Sequence, residues 1–306
     1  MGFFDPEQHT LSELSALYKT VIAKKNKEEL VAFLSELKDY AELFRQRIPA
    51  FDRSTNLSFG DTSQRLLHIL DVLQISTFHP FILFLMRKHA DDEPQLLKVL
   101  TNLEKFIMRA MISKAETKNY NKICKELIGD PSLLDTKVSE IKDQQLAAGL
   151  QSMANKNGAL VLFWIELFRR QSDPKFDEKE LKYAYTLEHI MPQKWEEFWS
   201  VVPVKDSLGQ PITNLENAKK LRYQKIYEIG NMTLLNGSLN PALRNFAFEK
   251  KVTGDGKRKG MKSYASLSIT RDDVISKYDS GDKTWDETTI SSRTQALTKE
   301  VLTIWG

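Results

Sequence analysis

The chain has 306 residues, of which 41% are hydrophobic, and its formal net charge at pH 7 is +3. This length and composition support a sizeable core and favour two domains. The small net charge excludes a chain that is basic throughout, so any surface for nucleic acid must be a local patch. The single cysteine, Cys124, excludes an intrachain disulfide and a zinc site built from cysteine pairs.

Segments that would target the chain to a membrane or out of the cell are not evident in the sequence. The opening residues lack a signal peptide pattern, and the longest apolar run, residues 81–86, is too short to span a bilayer. We therefore expect a cytoplasmic protein without a membrane partner.

Apolar residues recur at helical spacing from the start of the chain to Asp173. A capping box at residues 10–13, Thr-Leu-Ser-Glu, marks the first helix. Further helices are predicted over residues 27–46, 63–75, 80–89, 93–111, 114–128, 131–153 and 158–170. We expect an all-helical domain over residues 1–176 and a second domain over residues 177–306.

Short β-like pieces, turns and long loops replace the helical pattern after Asp173. Residues 185–189 are predicted to form a strand that Pro192 closes, and residues 232–235 a second strand. A turn at 236–238 and a helix over about 240–251 follow. Helices are also predicted over 194–200, 215–225, 270–278 and the end of the chain.

Two motifs in this second part resemble a known family. Glu188-His189-Ile-Met-Pro192, followed by Gly230-Asn231-Met-Thr-Leu-Leu and by Asn240, Asn245 and Lys250, is similar to the C-terminal HNH-like nuclease domain of GmrSD-type (type IV) restriction enzymes. The likeness covers residues 180–260 and extends loosely to the end of the chain. It implies a mainly α protein in which an α+β HNH (ββα-metal) nuclease domain follows the helical domain.

The activity that the resemblance implies is metal-dependent cleavage of DNA, in defence against foreign or modified DNA. Hydrolysis of a phosphodiester needs a base, and His189 is the natural one because an imidazole titrates near neutral pH. The resemblance assigns Asn231 to holding the His189 strand or ring. It assigns Glu188 and Asn240 to a divalent metal, Mg²⁺ or Mn²⁺. Asn240 follows Asn231 by nine residues (240 − 231 = 9), as in HNH nucleases.

Several alternatives stay open from the residues themselves. Glu188 stands where HNH motifs usually have aspartate, and Asn240 where they have histidine, which argues against zinc. Asn245 and Asn236 compete with Asn240 for the ligand role. Asn231 is also typical of a turn after glycine, and Asn240 before Pro241 of a plain helix cap.

The basic loop containing Lys257, Arg258 and Lys259, together with Lys250, is expected to contact DNA phosphates, although a solvated face explains it equally well. Trp195 and Trp199, four residues apart, favour core packing over base stacking. The resemblance implies a ParB-like nucleotide-binding sensing domain or subunit, whose DGQQR-type motif this sequence lacks. The alternative functions are an inactive HNH-like module that binds DNA or protein, and an RNase that uses the same site.

Overall fold

A computed structural model of the protein describes residues 11–236 and 245–306. These residues are mainly helical with few, short strands, so the predicted mainly α class is confirmed. Within these two stretches, each helix is too short or too polar to cross a bilayer. The cytoplasmic location stays a prediction.

The α-helices of the described residues are labelled in chain order. They are α1 (Leu11–Ala23), α2 (Lys27–Arg47), α3 (Thr62–Leu73), α4 (His79–Lys88), α5 (Glu93–Ser113), α6 (Tyr120–Gly129), α7 (Leu133–Glu140), α8 (Asp143–Leu150), α9 (Asn155–Ser172), α10 (Glu196–Trp199), α11 (Leu215–Ile226), α12 (Phe248–Thr253), α13 (Ser268–Thr270), α14 (Ser276–Asp279) and α15 (Glu287–Trp305). A π-helical turn, Arg271–Ile275, joins α13 to α14, and 3₁₀ turns lie at Ile229–Asn231 and Met261–Ser263.

A π-helical turn interrupts the predicted helix 270–278, and three other predicted helices differ from the observed ones. The predicted helix 131–153 is two helices, α7 and α8, because Lys142 is extended and its N–H donates to the Gln145 side chain at 2.8 Å. The predicted helix 114–128 begins only at Tyr120, since Lys114 has a φ of 59° that helices exclude. The prediction 240–251 is wrong for residues 245–247, which precede α12, while residues 237–244 lie outside the described part of the chain.

Two antiparallel strand pairs are present. β1 (Asn56–Ser58) pairs with β2 (Glu180–Lys182), a pairing that the sequence does not predict because each strand has only three residues. β3 (Tyr185–His189) pairs with β4 (Met232–Asn236), as predicted for both strands. The β3–β4 register places Glu188 opposite Thr233 and His189 opposite Met232.

The chain divides into two compact units. The first comprises the described residues up to Asp52, Thr62–Phe106 and Glu116–Glu140. Inside it, Arg65 Nε donates at 2.8 Å to both carboxylate oxygens of the buried Glu104. Its buried apolar residues include Leu66, Ile69, Leu70, Phe78, Phe81, Ile82, Leu100, Leu103 and Tyr120.

The second unit comprises Arg53–Asp61, Ile107–Ala115 and Ile141–Gly306, and it contains both motifs. Its buried cluster joins residues that follow β3 with β4, α12 and the last helix: Ile190, Met191, Trp199, Ile226, Leu235, Phe248, Val252, Met261, Val274, Ile275, Tyr278, Trp285 and Ile290. Trp199 belongs to this cluster and Trp195 packs against it, so core packing is confirmed for both tryptophans. The predicted domain boundary at residue 176 stays a prediction.

Candidate active site

The β3–β4 pair places Glu188 and His189 next to each other at the end of β3. Adjacent strand residues direct their side chains to opposite faces. Glu188 is 7% exposed and His189 9% exposed, so both ionisable groups lie inside the protein. Buried ionisable side chains need specific partners, and the partners differ between the two faces.

The imidazole of His189 is held through both ring nitrogens. Nδ1 lies 2.9 Å from the carbonyl oxygen of Ile226, and Nε2 lies 3.0 Å from Oδ1 of Asn155. A carbonyl only accepts hydrogen bonds, so Nδ1 must carry a proton, and in the neutral ring Nε2 then holds the lone pair. The Asn155 oxygen cannot donate to that lone pair, so the neutral ring is held at Nε2 when the Asn155 amide turns its NH₂ toward it. The rings of Tyr227 and His189 pack edge to face, with 5.9 Å between their centres.

The surroundings of His189 favour its neutral form. Burial lowers the pKa of the imidazole, the hydrogen bond to the Ile226 carbonyl opposes that shift, and the nearby ammonium of Lys251 adds to it. A base must be unprotonated before it can take a proton. These surroundings therefore favour an imidazole that can accept a proton near neutral pH.

Asn231 is fully buried and holds the backbone around His189. Its Oδ1 accepts from the Met191 N–H at 2.8 Å and from the Trp285 indole N–H at 3.2 Å. Its Nδ2 donates to the carbonyls of Met191 at 2.8 Å and Ile226 at 3.0 Å. The Ile226 carbonyl thus accepts hydrogen bonds from both Asn231 and the imidazole, which links the position of the ring to the Asn231 amide.

Gly230 allows α15 to approach the Asn231 turn closely. A Cβ at this position would lie 2.2 Å from the carbonyl oxygen of Ile290, so a larger side chain does not fit. The Gly230 N–H donates to Thr294 Oγ1 at 3.1 Å, and Arg293 donates to the Gly230 carbonyl at 2.9 Å. The last helix, α15, therefore packs against the second motif and forms hydrogen bonds with its backbone.

On the other face, Glu188 forms a buried ion pair with Lys251 of α12. The Lys251 ammonium is 0% exposed and donates to Glu188 Oε1 and, at 2.7 Å, to the His189 carbonyl. Burial raises the pKa of Glu188 and lowers that of Lys251, and their mutual attraction opposes both shifts. The pair fastens α12 to the end of β3.

The metal that the resemblance implies is not matched by the described residues. Across residues 11–236 and 245–306, no three His, Cys, Asp or Glu side chains are grouped so that they hold a metal ion. The Glu188 carboxylate is already bound to the Lys251 ammonium. Within the part of the chain that the structure describes, these residues do not form a metal site, and we assign no chemical step to a metal.

The asparagines proposed as metal ligands lie in different places. Asn236 is exposed and pairs with Tyr185, four residues along β3 from His189, or roughly 13 Å at about 3.3 Å per residue. Asn245 is half-buried in the turn before α12. Asn240 lies outside the described residues. Among the motif asparagines that the structure describes, Asn231 is the one that bonds the backbone next to His189.

The predicted DNA-binding residues lie on the surface around α12. Lys250 and Arg258 both approach the ring of Phe246, at 6.0 Å and 5.7 Å from its centre. Lys257 and Lys259 are exposed. Asp255 accepts from the backbone N–H of Lys257 at 3.1 Å and of Arg258 at 2.8 Å, which shapes this loop. A local cluster of cations is therefore present although the net charge of the chain is small.

Sequence reasoning missed Asn155, Lys251 and Trp285 as neighbours of the motifs. Asn155 resembles an ordinary residue at a helix start, and Trp285 a core aromatic. Lys251 follows Lys250, and no local signal distinguishes a lysine that enters the core from one that remains in solvent. These three residues reach the motifs only through the tertiary fold.

The comparisons with known proteins place the chain in a class of nucleases. Residues 140–300, more than half of the chain, match a family of restriction endonucleases. That family is described as GmrSD restriction endonucleases, C-terminal domain, and the chain belongs to it. The resemblance found in the sequence is thereby confirmed. No curated protein and no solved structure matches the chain significantly.

Proposed function

We propose that this chain is an endonuclease that hydrolyses phosphodiester bonds in DNA, with His189 as the general base. One observation carries the proposal: a buried imidazole whose Nδ1 is bound to a carbonyl, so that in the neutral ring the lone pair lies on Nε2. Family membership supplies the reaction class. The geometry of His189 and elementary acid–base chemistry support its role as the base.

In the proposed reaction, Nε2 of His189 takes a proton from water as the water oxygen attacks the phosphorus. The new P–O bond forms as the bond to the leaving sugar oxygen breaks, and that oxygen receives a proton from solvent. Asn231 keeps the backbone of Met191 and the Ile226 carbonyl in place, so the imidazole does not turn away during proton transfer. Holding reacting groups in position lowers the entropic part of the barrier.

Lys250, Lys257, Arg258 and Lys259 are proposed to bind the DNA backbone. Their positive charges neutralise phosphates without reading sequence. Contact with several phosphates makes binding salt-dependent. This surface supports a nucleic-acid substrate, and the family of restriction endonucleases implies that the substrate is DNA.

A role in defence against foreign or modified DNA, as the effector part of a restriction system, is part of the same proposal. So is a ParB-like nucleotide-binding sensing domain or subunit as partner. Both are inferred from the family, in which the matched domain is the C-terminal one. Dependence on Mg²⁺ or Mn²⁺ through Glu188 and Asn240 stays a prediction, because Glu188 is paired with the Lys251 ammonium and Asn240 lies outside the described residues.

A second candidate is a binding module without catalytic activity. It is favoured by the partners that both ring nitrogens of His189 already have and by the ion pair that Glu188 already forms. In that case the chain binds DNA through its basic surface and cleaves nothing.

Nicking of supercoiled plasmid distinguishes the two candidates. The wild type and His189→Ala are compared with Mg²⁺, with Mn²⁺ and with EDTA, and RNA is included as a second substrate. Removing a general base lowers the rate by roughly 100-fold or more. His89→Ala, at the end of α4, is the matched control and should cleave like the wild type. Equal cleavage by the wild type and His189→Ala would show that His189 is not the general base. DNA binding without cleavage by any of the proteins would favour the binding module without catalytic activity.

A further inference from the structure

Asn155 lies at the first residue of α9, outside both motifs, and its side-chain oxygen is 3.0 Å from Nε2 of His189. The Nδ1 edge of the imidazole faces Ile226, which is completely buried. The Nε2 edge faces Asn155, which is exposed. Nε2 is therefore the nitrogen on the solvent side of the ring, and Asn155 is its neighbour there.

The position of Asn155 is fixed by the backbone on either side of it. Two residues earlier, the Met153 N–H donates to the Tyr227 carbonyl at 2.9 Å, next to the Ile226 carbonyl that holds the ring. Three residues later, a Cβ on Gly158 would lie 2.8 Å from Met232 Sδ. This close approach places the first turn of α9 directly on β3 and β4. The amide is thus carried by a rigid element, although its own side chain reaches solvent.

An amide suits this position better than a charged or an apolar group. The neutral ring offers a lone pair at Nε2, and after proton transfer it offers an N–H there. A half-turn of the Asn155 amide presents either NH₂ or oxygen at nearly the same point. Asparagine can therefore hold the ring in both states without adding a charge.

We propose that Asn155 is a positioning residue for His189: its amide holds the Nε2 edge of the imidazole and yields this position to water when substrate enters. The inference rests on the proposed function for its catalytic meaning, but the contact itself is independent of any reaction. The family match covers residues 140–300 and so includes Asn155, but it gives this residue no role.

The test compares Asn155→Ala with Asn157→Ala. Asn157 is the same residue type in the same turn of α9, and residues two apart on a helix do not face each other. The first readout is the ¹⁵N NMR spectrum of the histidine ring nitrogens, recorded without substrate. The wild type and Asn157→Ala should show His189 as a single species protonated at Nδ1. Asn155→Ala should show a broadened or mixed signal, because the ring loses one of its two anchors.

The second readout is the kinetics of plasmid nicking. Losing one hydrogen bond that positions the base should lower kcat by about tenfold and leave KM nearly unchanged. Wild-type ring signals in Asn155→Ala would overturn the inference, as would an unchanged kcat in an active enzyme. If the wild type does not cleave, the proposed function fails, while the NMR comparison still decides whether Asn155 positions the ring.

Discussion

The buried pair of Lys251 and Glu188 gives the strongest prediction about stability. Lys251→Met keeps most of the apolar stem but removes the ammonium, which leaves the Glu188 carboxylate without its charged partner at 7% exposure. Breaking a buried ion pair in this way costs about 3–5 kcal/mol, because the remaining charge stays desolvated. Lys250→Met, one residue earlier on the exposed side of α12, should change the free energy of unfolding by less than about 0.5 kcal/mol.

A double-mutant cycle measures the pair itself. Urea unfolding followed by circular dichroism at pH 7 is applied to the wild type, Lys251→Met, Glu188→Gln and the double variant. Because the double variant buries no unpaired charge, it should be more stable than additivity predicts, by about 2–3 kcal/mol. A coupling energy below about 0.5 kcal/mol would refute the reasoning from burial and charge.

The pH dependence of Lys251→Met provides an internal check on the cause. In this variant only burial acts on the carboxyl of Glu188, so its pKa in the folded state rises further. When the pKa of a carboxyl is higher in the folded than in the unfolded state, its contribution to the free energy of unfolding is full below the unfolded pKa of about 4.3. That contribution is lost as the pH rises through the pKa of the folded state. The free energy of unfolding of Lys251→Met should therefore fall furthest below that of the wild type at pH 7, and less far below it near pH 5. A deficit that does not change with pH would point to packing alone.

Three further predictions concern other parts of the chain. Gly230→Ala should destabilise by about 1–3 kcal/mol in thermal unfolding, because its Cβ meets a carbonyl oxygen at 2.2 Å, whereas Gly129→Ala, with nothing within 4 Å, should be neutral or slightly stabilising. Burial lowers the pKa of His68 to about 4. The stability that this neutral histidine contributes is full above pH 6.5 and is lost as the pH falls, by at most about 3 kcal/mol. His68→Gln should therefore flatten the dependence of the free energy of unfolding on pH in urea titrations. Arg258→Ala should weaken DNA binding on all sequences alike and reduce the slope of log K against log salt by about one, and an unchanged slope would remove Arg258 from the interface.

Sequence patterns predicted the parts of this protein that depend on local chemistry. Helical spacing identified most of the helices, and β-branched and aromatic residues bounded by turn residues identified β3 and β4. The patterns failed where one residue leaves the helical conformation, as Lys114 and Lys142 do, because apolar spacing continues across such a break. They also failed for β1 and β2, since three residues are too few to show alternation.

The candidate site was predictable as two motifs but not as an assembly. The separation in sequence explains the difference: Asn155 is 34 residues from His189, and Lys251 is 63 residues from Glu188. Neither contact leaves a periodic or compositional trace. The role of a buried lysine is set by what the fold places around it, and only coordinates supply that.

Lys251 also bears on the metal that the resemblance assigned to Glu188. The Lys251 ammonium is bound to Oε1 of Glu188 and repels a divalent ion, so its removal should strengthen metal binding at this carboxylate. If Glu188 is a ligand, Lys251→Met, kept under conditions where circular dichroism shows it folded, should bind Mn²⁺ more tightly than the wild type in isothermal titration calorimetry. Adding Glu188→Gln should abolish the gain. Equal affinity in Lys251→Met and the wild type would instead leave Glu188 as the counter-ion that fastens α12 to β3.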